Sequence, residues 1–315
     1  MNRIAKINVG VDVSKDSLDV CFHPIGKIFK VENTLDGLDC LIQELNQFSI
    51  NKVVFEASGG YEELLFDTLE GVGYKCWKVR PDRIKGFIMG EGVSVKTDKS
   101  DAKMIALFSA KTEQSYESIK LTQEEKLLRT FFRRKQELKE YLATEKTRLK
   151  NPTQKSFEKE ICSLIKFLEK QLNFLDKKIL RIISKNKKMQ RKCEIIESVP
   201  GFSKESSQAL ISEVPELGLV DNKKAAAILG TAPYTNESGK YKGKSKTAIG
   251  KKIPKKVLYM AAVVASRHNP DLKLFYERLV KSGKPKKVAL VAVMRKLICL
   301  VNTLLAEDRL WVKNI

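Results

Sequence analysis

The run from Ile7 to Val13 (INVGVDV) has the length and the β-branched content of a buried strand, yet it carries a carboxylate at Asp12. Burying an unpaired charge costs several kcal/mol, so an aspartate in such a strand needs a cation, a metal or a hydrogen-bond network beside it. The sequence therefore predicts a sheet with a polar site at one end of a core strand. The alternative is an ion pair between Asp12 and Lys15 at the strand end.

Four more runs of the first 80 residues predict strands, with an amphipathic helix after the second of them: 17–23, 28–33, 52–57 and 74–79. The first two are expected to pair as an antiparallel meander. The third run (KVVFEA) carries Glu56 near its carboxyl end. Open α/β sheets bind ligands at the carboxyl ends of their strands, so we expect Glu56 close to Asp12 if the two strands are neighbours. A solvated loop position before Gly59 is the alternative for Glu56.

The segment KTDKSDAKMIALFSA opens a helix with Asp98 and Asp101 three residues apart, on one helix face. Either Asp98 or Ser100 is also a suitable N-cap, which is the alternative reading of this pair. The order of the acids favours a metal site. A strand Asp, a strand Glu and a helical Asp-x-x-Asp supply oxygen ligands for two hard cations about 4 Å apart, as two-metal phosphoryl transfer requires.

The charge is unevenly distributed along the chain. It holds 59 Lys+Arg against 38 Asp+Glu, a formal net charge of +21. The first 70 residues contain 6 basic and 12 acidic side chains, and the remainder contains 53 and 26. A positive field of this size favours a nucleic-acid partner through phosphate contacts and counterion release. An AT-rich genome also raises lysine content, but does not account for the uneven placement.

The 315 residues are enough for two domains with cores of their own, and the patterns divide the chain into 1–115, 116–192 and 193–315. The six cysteines form no Cys-x-x-Cys pair and there are only two histidines, which argues against a zinc site. Free thiols indicate a reducing cytoplasm. We expect no membrane span, on the reading that no apolar run approaches the roughly 20 residues that one needs.

Residues 116–192 predict a helical coiled-coil spacer of two long helices separated by Asn151-Pro152. The second helix has apolar residues alternately four and three apart, a heptad seam: Ile161, Ile165, Leu168, Leu172, Leu175, Ile179 and Ile182. Such a seam closes a hairpin within one chain or pairs two subunits. The sequence leaves both open.

After the spacer, Pro200-Gly201 between two helical patterns resembles a helix-hairpin-helix, whose turn offers N–H groups to a phosphate. Ser203 stands where that motif has its second glycine. Further on, Ser238 precedes a stretch without carboxylates, and a serine becomes a nucleophile only where a base or metal activates it. The candidate phosphate-binding residues are Gly201, Gly239, Lys240, Lys242, Lys244, Lys246, Lys251, Lys252, Lys255 and Lys256. A solvated basic loop with a turn serine is the alternative.

These motifs, taken in order, resemble one family over nearly the whole length: VGVDVSKDSLDV, VVFEASGGYEELL, KTDKSDAKMIA, ESVPGF, AAAILGTAPYTNESGKYKGKS, LYMAAVVASRHNP and FYERLVKSGKPKKVALVAVMRKL. The chain is similar to insertion-sequence transposases of the IS-one-ten family, which includes Piv-type DNA invertases and bridge-RNA-guided recombinases. Where relatives often carry a Gly-rich segment with Arg after the serine loop, this chain has AIGKKIPKK, which lacks the bidentate fork of arginine.

The resemblance implies an α/β ribonuclease-H-like (RuvC-like) first domain, whose Asp12, Glu56, Asp98 and Asp101 bind Mg²⁺. It implies a mainly α C-terminal domain in which Ser238 joins covalently to a DNA end. It further implies a bacterial, nucleoid-associated protein that acts on donor and target DNA, is guided by a structured noncoding RNA, and assembles from homodimers into tetramers. A RuvC-like Holliday-junction nuclease is the rival function, because it uses the same carboxylates; an inactivated DNA-binding remnant is another.

Overall fold

The computed structural model describes residues 6–92, 98–112, 121–234, 237–238, 241–242, 246–247 and 250–313, without the side chains of residues 98–100, 152, 234, 237–238, 241–242 and 246. Two compact units follow each other along the chain, Met1–Ile119 and Lys120–Ile315. The predicted spacer and the C-terminal region thus fall within one unit. The finer division into three domains stays a prediction.

The first unit contains a mixed five-stranded sheet of order β3-β2-β1-β4-β5. Its strands are β1 (Ile7–Val13), β2 (Ser17–His23), β3 (Lys27–Glu32), β4 (Ile50–Glu56) and β5 (Cys76–Val79). The first three form an antiparallel meander, and β4 pairs parallel with both β1 and β5. All five predicted strands are present: β1 and β2 have the predicted ends, and β3, β4 and β5 have ends shifted by one or two residues. This architecture is compatible with the expected ribonuclease-H-like fold.

Helices cover both faces of the sheet: α1 (Leu35–Leu45), α2 (Glu62–Gly71), α3 (Pro81–Gly90) and α4 (Asp98–Lys111). On one face, side chains such as Val11 and Phe55 share a core with apolar residues of α1 and α2. On the other face, Val54 packs with Ile105 and Phe108 of α4. Because strand residues alternate between faces, this division assigns each polar strand residue to one side of the sheet.

The second unit is mainly helical. Its helices are α5 (Gln123–Leu149), a 3-10 turn (Pro152–Phe157), α6 (Glu158–Lys185), α7 (Lys187–Ser198), α8 (Lys204–Glu213), α9 (Asn222–Ile228), α10 (Lys252–His268), α11 (Pro270–Lys281) and α12 (Lys286–Ala306). Two small antiparallel ladders lie between α9 and α10 in the chain: β6 (Pro233–Tyr234) with β9 (Lys246–Thr247), and β7 (Glu237–Ser238) with β8 (Tyr241–Lys242).

The heptad seam of α6 is buried inside one chain. Leu168, Leu172 and Leu175 form a cluster with Leu138 of α5. A capping box of Thr122 and Glu125 begins α5, and Asn151 caps the 3-10 turn that connects the two helices. The hairpin interpretation therefore holds for this seam, and the idea that the seam itself pairs subunits is corrected: its apolar side chains are already covered by α5.

Helix α12 is the centre of the other core of this unit, where Val293, Leu297 and Val301 are fully buried among residues of α7, α8 and α10. By length and composition alone α12 is apolar enough to cross a membrane. It departs from the expectation that the chain has no apolar stretch of that length. Its buried face explains the composition, since a helix packed among several neighbours is apolar on most sides.

Candidate carboxylate site and basic segment

Asp12 is the next-to-last residue of β1, and Glu56 is the last residue of the neighbouring parallel strand β4. The β1–β4 register pairs Val11 with Phe55, so Asp12 and Glu56 are the next residues at the same edge of the sheet. Val11 and Phe55 face α1 and α2, which turns the two carboxylates toward the face that α4 covers. Both are half-buried. The condition for bringing Asp12 close to Glu56, that their strands are neighbours, is therefore met.

Gly10 brings α4 directly onto β1. A Cβ at this position would lie 2.2 Å from the backbone nitrogen of Ala106 and 2.4 Å from the carbonyl oxygen of Ala102. At the other end of α4, the Ser109 hydroxyl lies 3.3 Å from Oδ1 of Asn8. Residues 8, 10 and 12 share one face of β1, and α4 runs along it in the opposite direction. The beginning of α4, with Asp101, therefore lies toward Asp12.

Asp98 begins α4, but its side chain lies outside the described residues. Asp101 is half-buried. Within the described part of the chain, no three His, Cys, Asp or Glu side chains form a group close enough to hold a metal ion. The donor chemistry at this edge nevertheless fits a hard divalent cation such as Mg²⁺, because Asp12, Glu56 and Asp101 offer only carboxylate oxygens.

The loop after Glu56 is held by a carboxylate that the sequence reasoning missed. Glu62 Oε2 accepts hydrogen bonds from the backbone N–H groups of Ser58 (3.1 Å) and Gly60 (2.8 Å), and Glu62 also pairs with Lys78. Burial alone would raise the pKa of the Glu62 carboxyl, but the hydrogen bonds and the charge of Lys78 outweigh it and bring the pKa to about 2. The available signal was a glutamate two residues after Gly-Gly at a helix start.

Ser238 ends β7, and its backbone pairs with Tyr241 of β8. It therefore stands at the end of the inner of the two small ladders. The side chain of Ser238 is not described, and Gly239, Lys240 and Lys244 lie outside the described residues. Lys242 and Lys246 are placed by their backbones alone, in β8 and β9.

The remaining lysines predicted to bind phosphate lie at the start of α10. Lys252 and Lys256 are exposed and Lys255 is half-buried. No acidic residue occupies the first turn of this helix. Cations near a helix N-terminus are unfavourable to the helix dipole, so these lysines favour an anion at the same end.

Lys251 lies in a different environment from the one expected of a phosphate ligand. Its ammonium donates to the carbonyl oxygen of Glu213 at 2.7 Å and to Oε1 of Glu216 at 2.8 Å. Burial lowers the pKa of Lys251, while the carboxylate of Glu216 raises it. This lysine joins the start of α10 to the end of α8, and phosphate binding by Lys251 stays a prediction.

Gly201 has a packing reason of its own. It lies in the turn between α7 and α8 with a φ of 122°. A Cβ there would lie 2.7 Å from the carbonyl oxygen of Ala261 and 2.8 Å from Cβ of Ala265, both in α10. The two helices predicted on either side of Pro200-Gly201 are present as α7 and α8, and close contact with α10 and the backbone conformation require the glycine of their turn. Phosphate binding by this turn stays a prediction.

Two family models match the chain. Residues 9–157 match a transposase model of the DEDD type of IS110, and residues 193–277 match the model described as the transposase IS116/IS110/IS902 family. The first match contains all four candidate carboxylates, and the second contains Ser238 and the basic segment.

Two curated relatives are similar over the full length. The pilin gene-inverting proteins of Moraxella bovis and of Moraxella lacunata are each 26% identical to the chain, over 99% of this chain and 99% of the relative. The similarity thus extends through residues 158–192, which include α6 and lie between the two family matches.

Proposed function

The chain belongs to the IS116/IS110/IS902 transposase family and is a DNA recombination enzyme, and from this premise we propose that two sets of residues carry its reaction. The first set is the four carboxylates Asp12, Glu56, Asp98 and Asp101. The second is the hydroxyl of Ser238 with the lysines around it. The ribonuclease-H-like reading of the first unit belongs to the same proposal.

The adjacency of Asp12 and Glu56 at one sheet edge, under α4, is the observation that carries the proposal. A divalent cation such as Mg²⁺, when bound, would stabilise negative charge on a phosphate and activate its attacking oxygen. Asp12, Glu56 and Asp101 would hold it, with Asp98 three residues from Asp101 on the same helix face. Their half-buried positions leave a path for a strand of DNA to reach them.

Ser238 would act as the nucleophile on DNA. A bond forms between its Oγ and a phosphorus of the backbone, and the bond from that phosphorus to one sugar oxygen breaks. The serine proton ends on the sugar oxygen that leaves. Because one phosphate ester replaces another, the step is reversible and a second DNA end can take the serine's place. The lysines of this segment offset the negative charge of the phosphate.

DNA and a structured guide RNA are the proposed partners. The excess of basic residues after position 70 suits both, because phosphate contacts do not distinguish them. The RNA dependence rests on the family resemblance. Recombination measured with and without RNA transcribed from the flanks of the element tests this dependence directly. The reaction should need that RNA. Efficient recombination by protein and DNA alone would contradict the guide-RNA part of the proposal.

We propose a homodimer that pairs through the outer stripe of α6, defined as Leu164, Phe167 and Phe174. These side chains are 43%, 56% and 53% exposed and lie outside the buried seam. An antiparallel pairing of two copies centred near Glu169 sets Leu164 against Phe174 and Glu160 against Lys178. A parallel pairing would put like charges together. Charge complementarity therefore favours a second copy of this chain as the occupant.

Replacing Asp12 with Asn tests the carboxylate half of the proposal. The variant should lose DNA cleavage, since one cation ligand loses its charge, but keep its affinity for nucleic acid and its fold. Asp39→Asn, an exposed carboxylate on α1, is the matched control and should cleave normally. Undiminished cleavage by Asp12→Asn, or by the unaltered protein in excess chelator, contradicts the assignment.

Inversion of a DNA segment is a second candidate for the biological outcome, favoured by the names of the two Moraxella relatives. A plasmid with two sites in inverted or direct orientation separates the outcomes. Inversion alone indicates an invertase, whereas joining to a separate target indicates transposition.

A further inference from the structure

A fifth carboxylate lies in the same row of the sheet as the candidate site. In the register, Lys30 of β3 pairs with Asp19 of β2, and Asp19 pairs with Asp12 of β1. Glu56 of β4 follows on the other side of Asp12. The row across four strands is therefore Lys30, Asp19, Asp12 and Glu56.

These four residues share one face of the sheet. Their strand neighbours Leu18, Val20 and Val11 belong to the core on the α1 and α2 side, which leaves the alternate residues on the α4 side. Cys21, two residues after Asp19, is buried against Ala102 of α4 and identifies that side independently.

Asp19 is buried and directly opposite another acid. Its side chain is 8% exposed, and its ion pair with Lys30 Nζ is 3.2 Å long. Side chains directly opposite in an antiparallel pair have Cβ atoms about 4.5–5.5 Å apart, and like charges there repel. The side chain of Lys30 is 58% exposed, and an ion pair open to solvent contributes little. The register therefore places the carboxylates of Asp19 and Asp12 directly opposite each other, with the exposed Lys30 on the outer side of Asp19.

We propose that Asp19 is a positioning residue of the cation site, one strand beyond the carboxylates that touch the ion. Asp12 and Glu56 would hold the ion, and Asp19 would add negative charge beside Asp12 and accept a hydrogen bond from water at the site. The inference rests on the proposed function, in which Asp12 and Glu56 hold a divalent cation. It goes beyond it by adding a residue outside the Asp-Glu-Asp-Asp set.

The test measures the melting temperature of the full chain against Mg²⁺ concentration. For Asp19→Asn the concentration that gives half of the Mg²⁺-dependent rise should increase about 10-fold, the size of effect that outer partners of metal ligands have. Without Mg²⁺ the variant should melt no lower than the unaltered protein, because repulsion of Asp12 is relieved. Asp16→Asn, an exposed acid in the β1–β2 turn, is the control and should leave the midpoint unchanged.

A second variant keeps the inference testable if Asp19→Asn folds poorly. Lys30→Met removes the ammonium that competes for Asp19, so the Mg²⁺ midpoint should fall. An unchanged midpoint in both variants, with or without a lower melting temperature, overturns the role of Asp19 and leaves only a pair with Lys30.

The existence of the cation site and the role of Asp19 in it are tested by different outcomes. If Mg²⁺ stabilises the unaltered protein but not Asp12→Asn, while Asp19→Asn responds normally, only the role of Asp19 is wrong. If Mg²⁺ leaves the unaltered protein unaffected, the cation site itself is wrong and Asp19 has no role in it.

Discussion

At the residue scale, Asp12 illustrates how a charge is accommodated in a core strand. Val11 and Val13 on either side are buried, whereas Asp12 is only half-buried because it lies near the carboxyl end of β1, on the face of α4. The desolvation cost that makes a carboxylate improbable in mid-strand is reduced at this edge. The position that the fold tolerates is thus the position that the proposed chemistry needs.

Ser238→Ala separates a serine recombinase from a nuclease that uses carboxylates alone. With labelled DNA and the cognate RNA, the unaltered protein should give a complex that survives denaturant, with the label on the peptide containing Ser238. The alanine variant should lose that complex and all recombination but keep nucleic-acid affinity, since it lacks only the attacking oxygen. Thr235→Ala, a nearby hydroxyl, is the control. Recombination by Ser238→Ala would contradict the serine mechanism and favour a nuclease that uses the carboxylates alone.

Glu62 gives a pH dependence that is measurable in unfolding. Its pKa is about 2 in the folded protein against a usual 4.5. The ionised carboxylate therefore contributes fully to the free energy of unfolding above pH 4.5, and this contribution is lost as the pH falls toward 2. The shift corresponds to at most about 3 kcal/mol. Glu62→Gln should therefore lower the free energy of unfolding at pH 7, with the difference shrinking on acidification. Denaturant unfolding at several pH values measures it, and a difference that does not change with pH contradicts the ionic role.

At the element scale, α6 uses two faces for two purposes. Leu168, Leu172 and Leu175 close the hairpin with α5. The outer stripe of Leu164, Phe167 and Phe174 repeats with the same heptad spacing but is exposed. One amphipathic helix thus has an apolar stripe left over after the fold within the chain is complete.

Phe167→Glu with Phe174→Glu should shift the molar mass in light scattering toward the monomer, because buried charges would replace the apolar contact between copies. The melting temperature should change little, since both side chains are exposed within one chain. Tyr141→Glu, equally exposed on α5, is the control. Glu160→Lys and Lys178→Glu should each weaken the dimer and together restore it; a mass unaffected by all these changes would rule the stripe out.

At the scale of the whole molecule, the division of charge has a functional meaning. The first 70 residues hold 6 basic and 12 acidic side chains, and the positive charge of the chain comes from the residues after them. We expect these basic residues to attract nucleic acid from a distance, and a divalent cation, when bound, would neutralise the carboxylates locally. Salt is the variable that separates these two effects.

Nucleic-acid affinity should therefore fall linearly with the logarithm of salt concentration. Lys252→Gln with Lys256→Gln should weaken binding and reduce that slope by about one unit for each lost phosphate contact. Lys273→Gln, exposed on α11, is the control. Titrations by fluorescence anisotropy at several salt concentrations give the slopes, and identical slopes would mean that the start of α10 does not contact phosphate.

Local patterns in the sequence were sufficient to predict the five strands, the two long helices of residues 116–192 and the family resemblance. Their signals are local: alternation in Ser17–His23, the heptad spacing from Ile161 to Ile182, and motifs of adjacent residues. These predictions needed only periodicities that a chain carries whatever its tertiary contacts. The sequence predicts Glu56 close to Asp12 only if their strands are neighbours, and the parallel pairing of β1 with β4 meets that condition.

Tertiary structure decided what depends on partners distant in sequence. The heptad seam packs on α5, Lys251 donates hydrogen bonds to Glu213 and Glu216, and Gly201 lies in close contact with α10. Neither composition nor residue spacing predicts these partners. Asp19 looked like one polar residue of an alternating strand until the register set it opposite Asp12. Periodicity says which face a residue occupies, but only the packed fold decides what lies across from it, because pairing energies depend on distances that the sequence does not contain.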